Sequence, residues 1–300
     1  MSQPGALPRD RLVDLSFRIA WTVARRTPEN AANRVLETVA DRVWRRRGVG
    51  VRRLEANLRR AAPAVADHEL RALSRRALRS YLRYWHEAFR LPAIPPPRVV
   101  DGVVTSGEAD LRDAFGHGRG AVIALPHMAN WDLAGAWACL TGMPVSTVAE
   151  RLRPESLYTR FVRYREGLGM EVLPLSGGDS PLSSLRAALA RGRLICLLAD
   201  RDLTGSGVEV KLLDEAALLA AGPAALARMT GAPLFAATLS YRGPLLHIAF
   251  SSPIVARPGR AGLIEMTQDV ADWFSAGIRR APQDWHMLQR VFSADLADFA

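Results

Sequence analysis

Ala121-Val122-Ile123-Ala124-Leu125-Pro126-His127-Met128-Ala129-Asn130-Trp131-Asp132 begins with an unbroken apolar run, breaks at a proline and continues into the apolar stretch Trp131–Leu140. A strand with one wet face alternates, so an unbroken apolar run with β-branched residues predicts a strand covered on both faces. Pro126 cannot donate to a sheet ladder and ends it. Strand, turn and helix in direct succession form the repeating unit of a parallel sheet, whose crossovers need helices. The same texture recurs downstream. Apolar runs at Val99–Val104, Pro144–Val148, Glu171–Leu175, Leu194–Leu198, Val208–Leu213, Leu234–Ser240 and Leu245–Phe250 alternate with helical patterns at Ser156–Leu168, Leu182–Arg191 and Gly222–Thr230. A last helix is expected over Ala261–Arg280. The alternation predicts an α/β fold: a central mixed, largely parallel sheet flanked by helices.

Upstream the chain reads as helical. Leu12, Leu15, Ile19 and Val23 recur at helical spacing, and Thr27-Pro28-Glu29 resembles a cap with Pro at the first helical position, opening a helix to about Arg47. After the Gly48-Val49-Gly50 break and a short helix, Asp67–Leu91 carries Leu70, Leu73, Leu78, Tyr81, Leu82 and Trp85 until Pro92 and Pro95–Pro97 stop it. The expected organisation is an N-terminal helical segment over residues 1–98 packed on an α/β core over residues 99–300.

Composition narrows the function. With 49% hydrophobic and 23% charged residues over 300 positions, the chain is long and apolar enough to bury a large core. Its two cysteines, Cys139 and Cys196, cannot build a disulfide framework or a four-thiolate zinc site; in apolar runs they read as small hydrophobes of a reducing compartment. His68, His86, His117, His247 and His286 share no ligand spacing, so no metal is expected. The formal charge is +10, and of 40 basic residues all but Lys211 are arginine. Such a chain favours an anionic partner. No nucleic-acid reading module accompanies the charge, so nucleic acid is not expected. Leu12–Ala24 is too short and too charged to span a bilayer and lacks the features of a signal peptide, so the chain is expected to stay on the cytoplasmic side. Phe17, Trp21 and Trp44 beside Arg18, Arg25, Arg26 and Arg45–Arg47 suit helices lying on a membrane surface; the alternative is a helical layer on the sheet with a solvated arginine face.

His127 at the end of a strand with Asp132 five positions on is a usable general-base arrangement. A turn that folds the carboxylate onto the imidazole fixes the tautomer and leaves the other ring nitrogen for a hydroxyl nucleophile. The same spacing also fits a histidine ending a strand and an aspartate at a helix start.

His127 and Asp132 together match the His-x4-Asp motif of glycerolipid-type acyltransferases. The flanking text follows in order: Leu197-Leu198-Ala199-Asp200-Arg201-Asp202-Leu203, Gly207-Val208-Glu209-Val210, Gly222-Pro223 and Thr230-Gly231-Ala232-Pro233. The chain resembles the lipid A biosynthesis acyltransferase family. Thr147–Leu157 and Val172–Gly178 make it most similar to the actinobacterial phosphatidylinositol mannoside acyltransferases. The resemblance runs from the N-terminal helices to Pro282-Gln283-Asp284-Trp285. It implies transfer of a long acyl chain, typically palmitoyl, from acyl-CoA to a mannose hydroxyl of an anionic mannosylated phospholipid. The enzyme would sit peripherally on the cytoplasmic face of the inner membrane. No resident cofactor is implied, acyl-CoA being a co-substrate.

The resemblance also implies roles. His127 is the base, Asp132 its acidic partner, and Asp200 a second acidic residue on the histidine; the nearest relatives carry Glu at that place. Glu150, Arg165, Arg201, Asn130 and Trp131 fall on the substrate groove. An acyl-enzyme is not required, in keeping with the absence of a Gly-x-Ser-x-Gly elbow. An apolar groove is expected to run from His127 into the core. The residues leave two other readings open: the same chemistry on another glycolipid, and a basic membrane-binding protein without catalysis.

Overall fold

The computed structural model describes residues 29–150, 155–175, 181–202 and 205–296. Phe17, Trp21, Arg18, Arg25, Arg26 and the helix expected over Leu12–Ala24 lie outside them, as do Ser176-Gly177-Gly178. Three helices come first: α1 (Glu29–Arg46), α2 (Val49–Ala61) and α3 (Asp67–Arg90). Their small core joins Ala40, Leu54, Leu58, Leu73 and Leu78. Trp44, expected at headgroup depth, instead faces this bundle. Its indole N–H donates to Arg71 O (3.1 Å) and Ser74 Oγ (3.0 Å), and the Arg71 guanidinium lies 4.1 Å over its ring. The outer face of α1 carries the exposed valines Val35, Val39 and Val43, with Arg34, Arg42, Arg45 and Arg46 also exposed. No helix among the described residues is long and apolar enough to cross a membrane.

A short helix α4 (Pro96–Asp101) leads to β1 (Val103–Ser106). The single strand expected over Val99–Val104 is thus a helix followed by a strand: Pro96 and Pro97 occupy the first helical positions, where a missing N–H costs nothing. Then come α5 (Glu108–Gly116), β2 (Ala121–Leu125), α6 (Trp131–Leu140), β3 (Val145–Ala149), α7 (Glu155–Glu166), β4 (Glu171–Pro174), α8 (Pro181–Ala190) and β5 (Leu194–Leu198). A hairpin of β6 (Val208–Leu212) and β7 (Glu215–Leu219) precedes α9 (Gly222–Thr230), β8 (Leu234–Arg242), β9 (Leu245–Phe250), α10 (Gly259–Arg280) and α11 (Ser293–Leu296).

The main sheet has seven strands in the order β1-β9-β8-β2-β5-β3-β4. All neighbours are parallel except β8 and β9, so β1 and β9 run against the other five. The expected α/β architecture is present. Every residue of β2 is buried, as its unbroken apolar run requires. The register pairs Ala121 with Leu194 and Leu125 with Leu198, so the carboxyl ends of β2 and β5 stop side by side at the centre of the sheet. In open parallel sheets that edge is where ligands bind. The tail after α10 returns to it: Met128 bridges Trp285, Ala129 N donates to Asp284 O (2.8 Å) and His286 N donates to His127 O (2.8 Å). Asn57 Nδ2 of α2 holds the same tail by the carbonyls of Met287 and Gln289, each at 2.9 Å.

Candidate active site

His127 stands two residues beyond Leu125, and Asp200 two beyond its register partner Leu198, so parallel pairing alone brings them together. His127 Nδ1 lies 2.5 Å from Asp200 Oδ1, and the His127 backbone N–H donates to Oδ2 at 2.9 Å. The Trp285 indole donates to the same Oδ2 at 2.9 Å. Asp200 is fully buried, and burial alone would push its carboxyl up. The pull of His127, with hydrogen bonds from His127 and Trp285, outweighs that and holds it below the usual carboxylate range. An ionised carboxylate only accepts, so Nδ1 carries the ring proton and Nε2 presents the basic lone pair. The ring keeps about a fifth of its surface exposed (20%).

Asp132 departs from the expected return to the imidazole. Asn130 caps α6 by accepting from Leu133 N at 2.9 Å, so Asp132 already belongs to the helix and its carboxylate meets other elements. Arg165 Nε of α7 donates to Oδ1 at 2.7 Å, and the Tyr84 hydroxyl of α3 donates to Oδ2 at 3.0 Å. Asp132 and Tyr84 are buried. Burial opposes the Arg165 charge, yet Asp132 more than compensates and holds the guanidinium still more firmly protonated. Tyr84 is pushed well up by burial and by the Asp132 charge. The aspartate of the His-x4-Asp motif thus clamps three elements, and the histidine takes its orientation from Asp200.

The remaining expected residues divide. Asn130 does not reach the open site: it is wholly buried, with its oxygen on the α6 cap and Nδ2 donating to Glu87 Oε2 at 2.9 Å. Trp131 packs against Tyr84 with the rings tilted by 31° and their centroids 4.1 Å apart, and stands edge-on to His127 at 5.5 Å. Arg201 follows Asp200 and donates to Gln289 Oε1 at 2.6 Å. Glu150 is exposed at the end of β3. An apolar cavity opens beneath this cluster. Trp131, Asp132 and Arg165 line its polar part; Leu111, Val145, Met143 and Leu194 line it within the core. His127 is not part of the wall, but its edge-on neighbour Trp131 is. Cys196 lines the cavity, and burial pushes both cysteine thiols up, which makes them poor nucleophiles.

Four site residues escaped the sequence reading. Tyr84 and Glu87 sit in an amphipathic helix and look like its ordinary polar face. Trp285 and His286 sit in the tail, where only the sequence match to Trp285 marked the segment. His286 is buried and driven down to about 3, first by desolvation and then by the His127 charge, so it stays neutral. Ala129 has φ +43°, a left-handed backbone in a residue with a side chain, held by its bond to Asp284 O. Among the described residues no group of three or more His, Cys, Asp or Glu is placed to hold a metal ion.

Arranged this way, the residues can accept a proton at His127 Nε2 beside an apolar cavity and a buried cation. Residues 10–294 match the family model described as bacterial lipid A biosynthesis acyltransferase. A protein of Mycolicibacterium smegmatis named phosphatidylinositol mannoside acyltransferase is 43% identical, over 99% of this chain and 97% of its own. A Mycobacterium tuberculosis protein of the same name is 42% identical, over 95% of this chain and 90% of its own.

Proposed function

The chain belongs to the bacterial lipid A biosynthesis acyltransferase family, and from that premise we propose that it moves a long acyl chain, palmitoyl in the first instance, from acyl-CoA to a mannose hydroxyl of a mannosylated phosphatidylinositol. The observation that carries the reading is the His127–Asp200 pair beside a deep apolar cavity. The acceptor hydroxyl gives its proton to His127 Nε2 as its oxygen bonds to the thioester carbon. Asp200 stabilises the imidazolium that forms. Collapse of the tetrahedral intermediate breaks the carbon–sulfur bond, and the departing coenzyme thiolate takes the proton from His127. No covalent enzyme intermediate is needed.

The cavity suits the acyl chain, and the arginine-rich surface suits an anionic acceptor. A two-tailed acceptor does not leave a bilayer readily, because each buried CH₂ is worth about 0.8 kcal/mol. The enzyme therefore works at the membrane, on the cytoplasmic face. The exposed valine row of α1 beside its arginines supports this location: apolar side chains enter the headgroup layer while guanidiniums meet phosphates.

The test is to incubate wild-type and His127→Ala protein with palmitoyl-CoA and mannosylated phosphatidylinositol, following thiol release and product mass. A product one palmitoyl heavier, with the rate down by about 10²–10⁴-fold in the variant, is expected. Thiol release without an acylated mannoside would reject this acceptor.

A further inference from the structure

Indole N–H groups find partners when buried, and an orphan inside a protein asks for a reason. Trp131 Nε1 is such an orphan: it is buried and has no hydrogen-bond partner. Of the buried polar side-chain atoms left without a partner among the described residues, it alone belongs to a residue lining the acyl cavity. The ring cannot simply turn away. Tyr84 packs on it at 4.1 Å, His286 at 6.4 Å closes another side, and the backbone is fixed at the first position of α6 behind the Asn130 cap. The ring also stands edge-on to the His127 imidazole at 5.5 Å.

Other polar groups near the imidazole are already used. Asp200 takes the His127 Nδ1 proton, and the Trp285 indole is bound to Asp200. Arg165 Nε and the Tyr84 hydroxyl are bound to Asp132. His286 is neutral. Its Nε2 meets Ser80 Oγ at 3.0 Å, and the Ser80 hydroxyl donates to Asp284 Oδ1 at 2.7 Å, so Nε2 holds the proton and Nδ1 has none to give. Among the described residues, the Trp131 indole N–H is thus a buried, rigidly held donor left unspent between the base and the acyl cavity.

We propose that the Trp131 indole N–H is the donor that holds the acyl carbonyl oxygen and its oxyanion during transfer, which makes Trp131 a catalytic residue. The inference rests on the acyl-transfer reading given above. As the acceptor oxygen bonds to the thioester carbon and its proton passes to His127, the carbonyl π pair moves onto oxygen. That oxygen gains negative charge, and the indole N–H donates to it. The C=O re-forms when the thiolate leaves with the proton from His127. A donor whose bond strengthens as the charge grows lowers the barrier more than it strengthens substrate binding.

Two variants test this. Trp131→Phe removes the N–H and keeps an aromatic ring. Replacing Trp131 with benzothienylalanine, in which sulfur stands for the N–H, keeps the full bicyclic shape and covers the case in which the phenylalanine variant does not fold. Each is assayed with palmitoyl-CoA and mannosylated phosphatidylinositol for kcat and KM, for thermal stability, and for binding of S-hexadecyl-coenzyme A, a thioether with no carbonyl. The expected result is kcat lower by about 10²–10³-fold, KM little changed, the melting temperature not lowered, and the thioether bound as tightly as by wild type. A benzothienylalanine protein with kcat within about threefold of wild type overturns the proposal. So does a parallel loss of kcat, stability and thioether affinity, which marks a packing role. A wild-type protein that transfers no acyl group overturns the acyl-transfer reading and this inference together.

Discussion

The two aspartates near His127 do different work, and substitution separates them. Asp200→Asn keeps size and burial but can present an amide N–H where Nδ1 now donates, which favours the wrong tautomer and removes the charge that stabilises imidazolium. We expect kcat to fall by about 10²–10⁴-fold with KM and melting temperature close to wild type. Asp132→Ala leaves the Arg165 charge buried without its partner and the Tyr84 hydroxyl without an acceptor, which costs about 3–5 kcal/mol of stability. Denaturant unfolding of both variants beside steady-state kinetics checks the contrast; equal destabilisation by the two would contradict it. His127 and Asp200 were legible because their motifs are local and each follows an apolar strand. Their direct contact was implied by the resemblance alone, since the spacing along the chain says nothing of the offset between β2 and β5. The partners of Asp132 were hidden for the same reason: Tyr84 and Arg165 come from distant helices, and three-dimensional packing, not spacing, assigns them.

At the scale of elements, β-structure with ordinary turn chemistry was readable and β-structure without it was not. The strand Glu215–Leu219 reads as Ala, Leu and Glu, good helix formers, and its hairpin turns at Leu213-Asp214 with φ of +52° and +71° and no glycine or asparagine. What fixes that turn is tertiary: Leu213 N donates to Ser275 Oγ at 2.9 Å, and Arg279 of α10 reaches Asp214 at 2.5 Å. Leu212 and Leu213 lie in the core and off the cavity wall. Helix α6 bears more directly on substrate choice. A Cβ at Gly135 would stand 2.6 Å from Met170 Sδ, and both residues line the cavity. Gly135→Val forces Met170 aside and fills part of the lumen. It should shift the preferred donor from palmitoyl-CoA toward shorter acyl-CoAs while lowering stability by about 1–3 kcal/mol. Competition between donors of graded length reads the shift; an unchanged preference would place the acyl chain elsewhere.

Across the whole molecule, the tail after α10 ties the helical bundle to the catalytic edge. Asn57 holds its carbonyls, Ser80 holds Asp284, and the tail in turn holds His127 and Ala129 by their backbones. The site is therefore only as stable as a junction of distant segments, and that junction contains a buried histidine. His286 titrates near 3 in the folded protein, against about 6.5 in an unfolded chain. Its folded value is depressed, so the unfolded chain binds the proton first. The neutral imidazole contributes stability that is fully present above about pH 6.5 and is lost as pH falls toward 3, at about 1.4 kcal/mol per pH unit. The groups around it set the balance. Desolvation and the His127 charge push His286 down. Burial also raises the Asp284 carboxyl, whose protonation on acidification opposes part of the loss. The Asp41 carboxylate, held low by Arg75 and Arg79 in the bundle, adds its own loss only in stronger acid, below the usual carboxylate range. His247, held low by burial and by the Arg242 and Arg280 charges, adds a loss of the same sign, so between pH 6 and 4 the two histidines set the decline. His286→Gln, which can still donate to Ser80, should be less stable than wild type at pH 7 and lose the His286 share of the decline between pH 6 and 4, so the two stability curves converge on acidification. Urea midpoints across that range decide it: parallel curves would mean that the junction opens in acid for another reason. Convergence would make the tail the acid-labile hinge on which His127 depends.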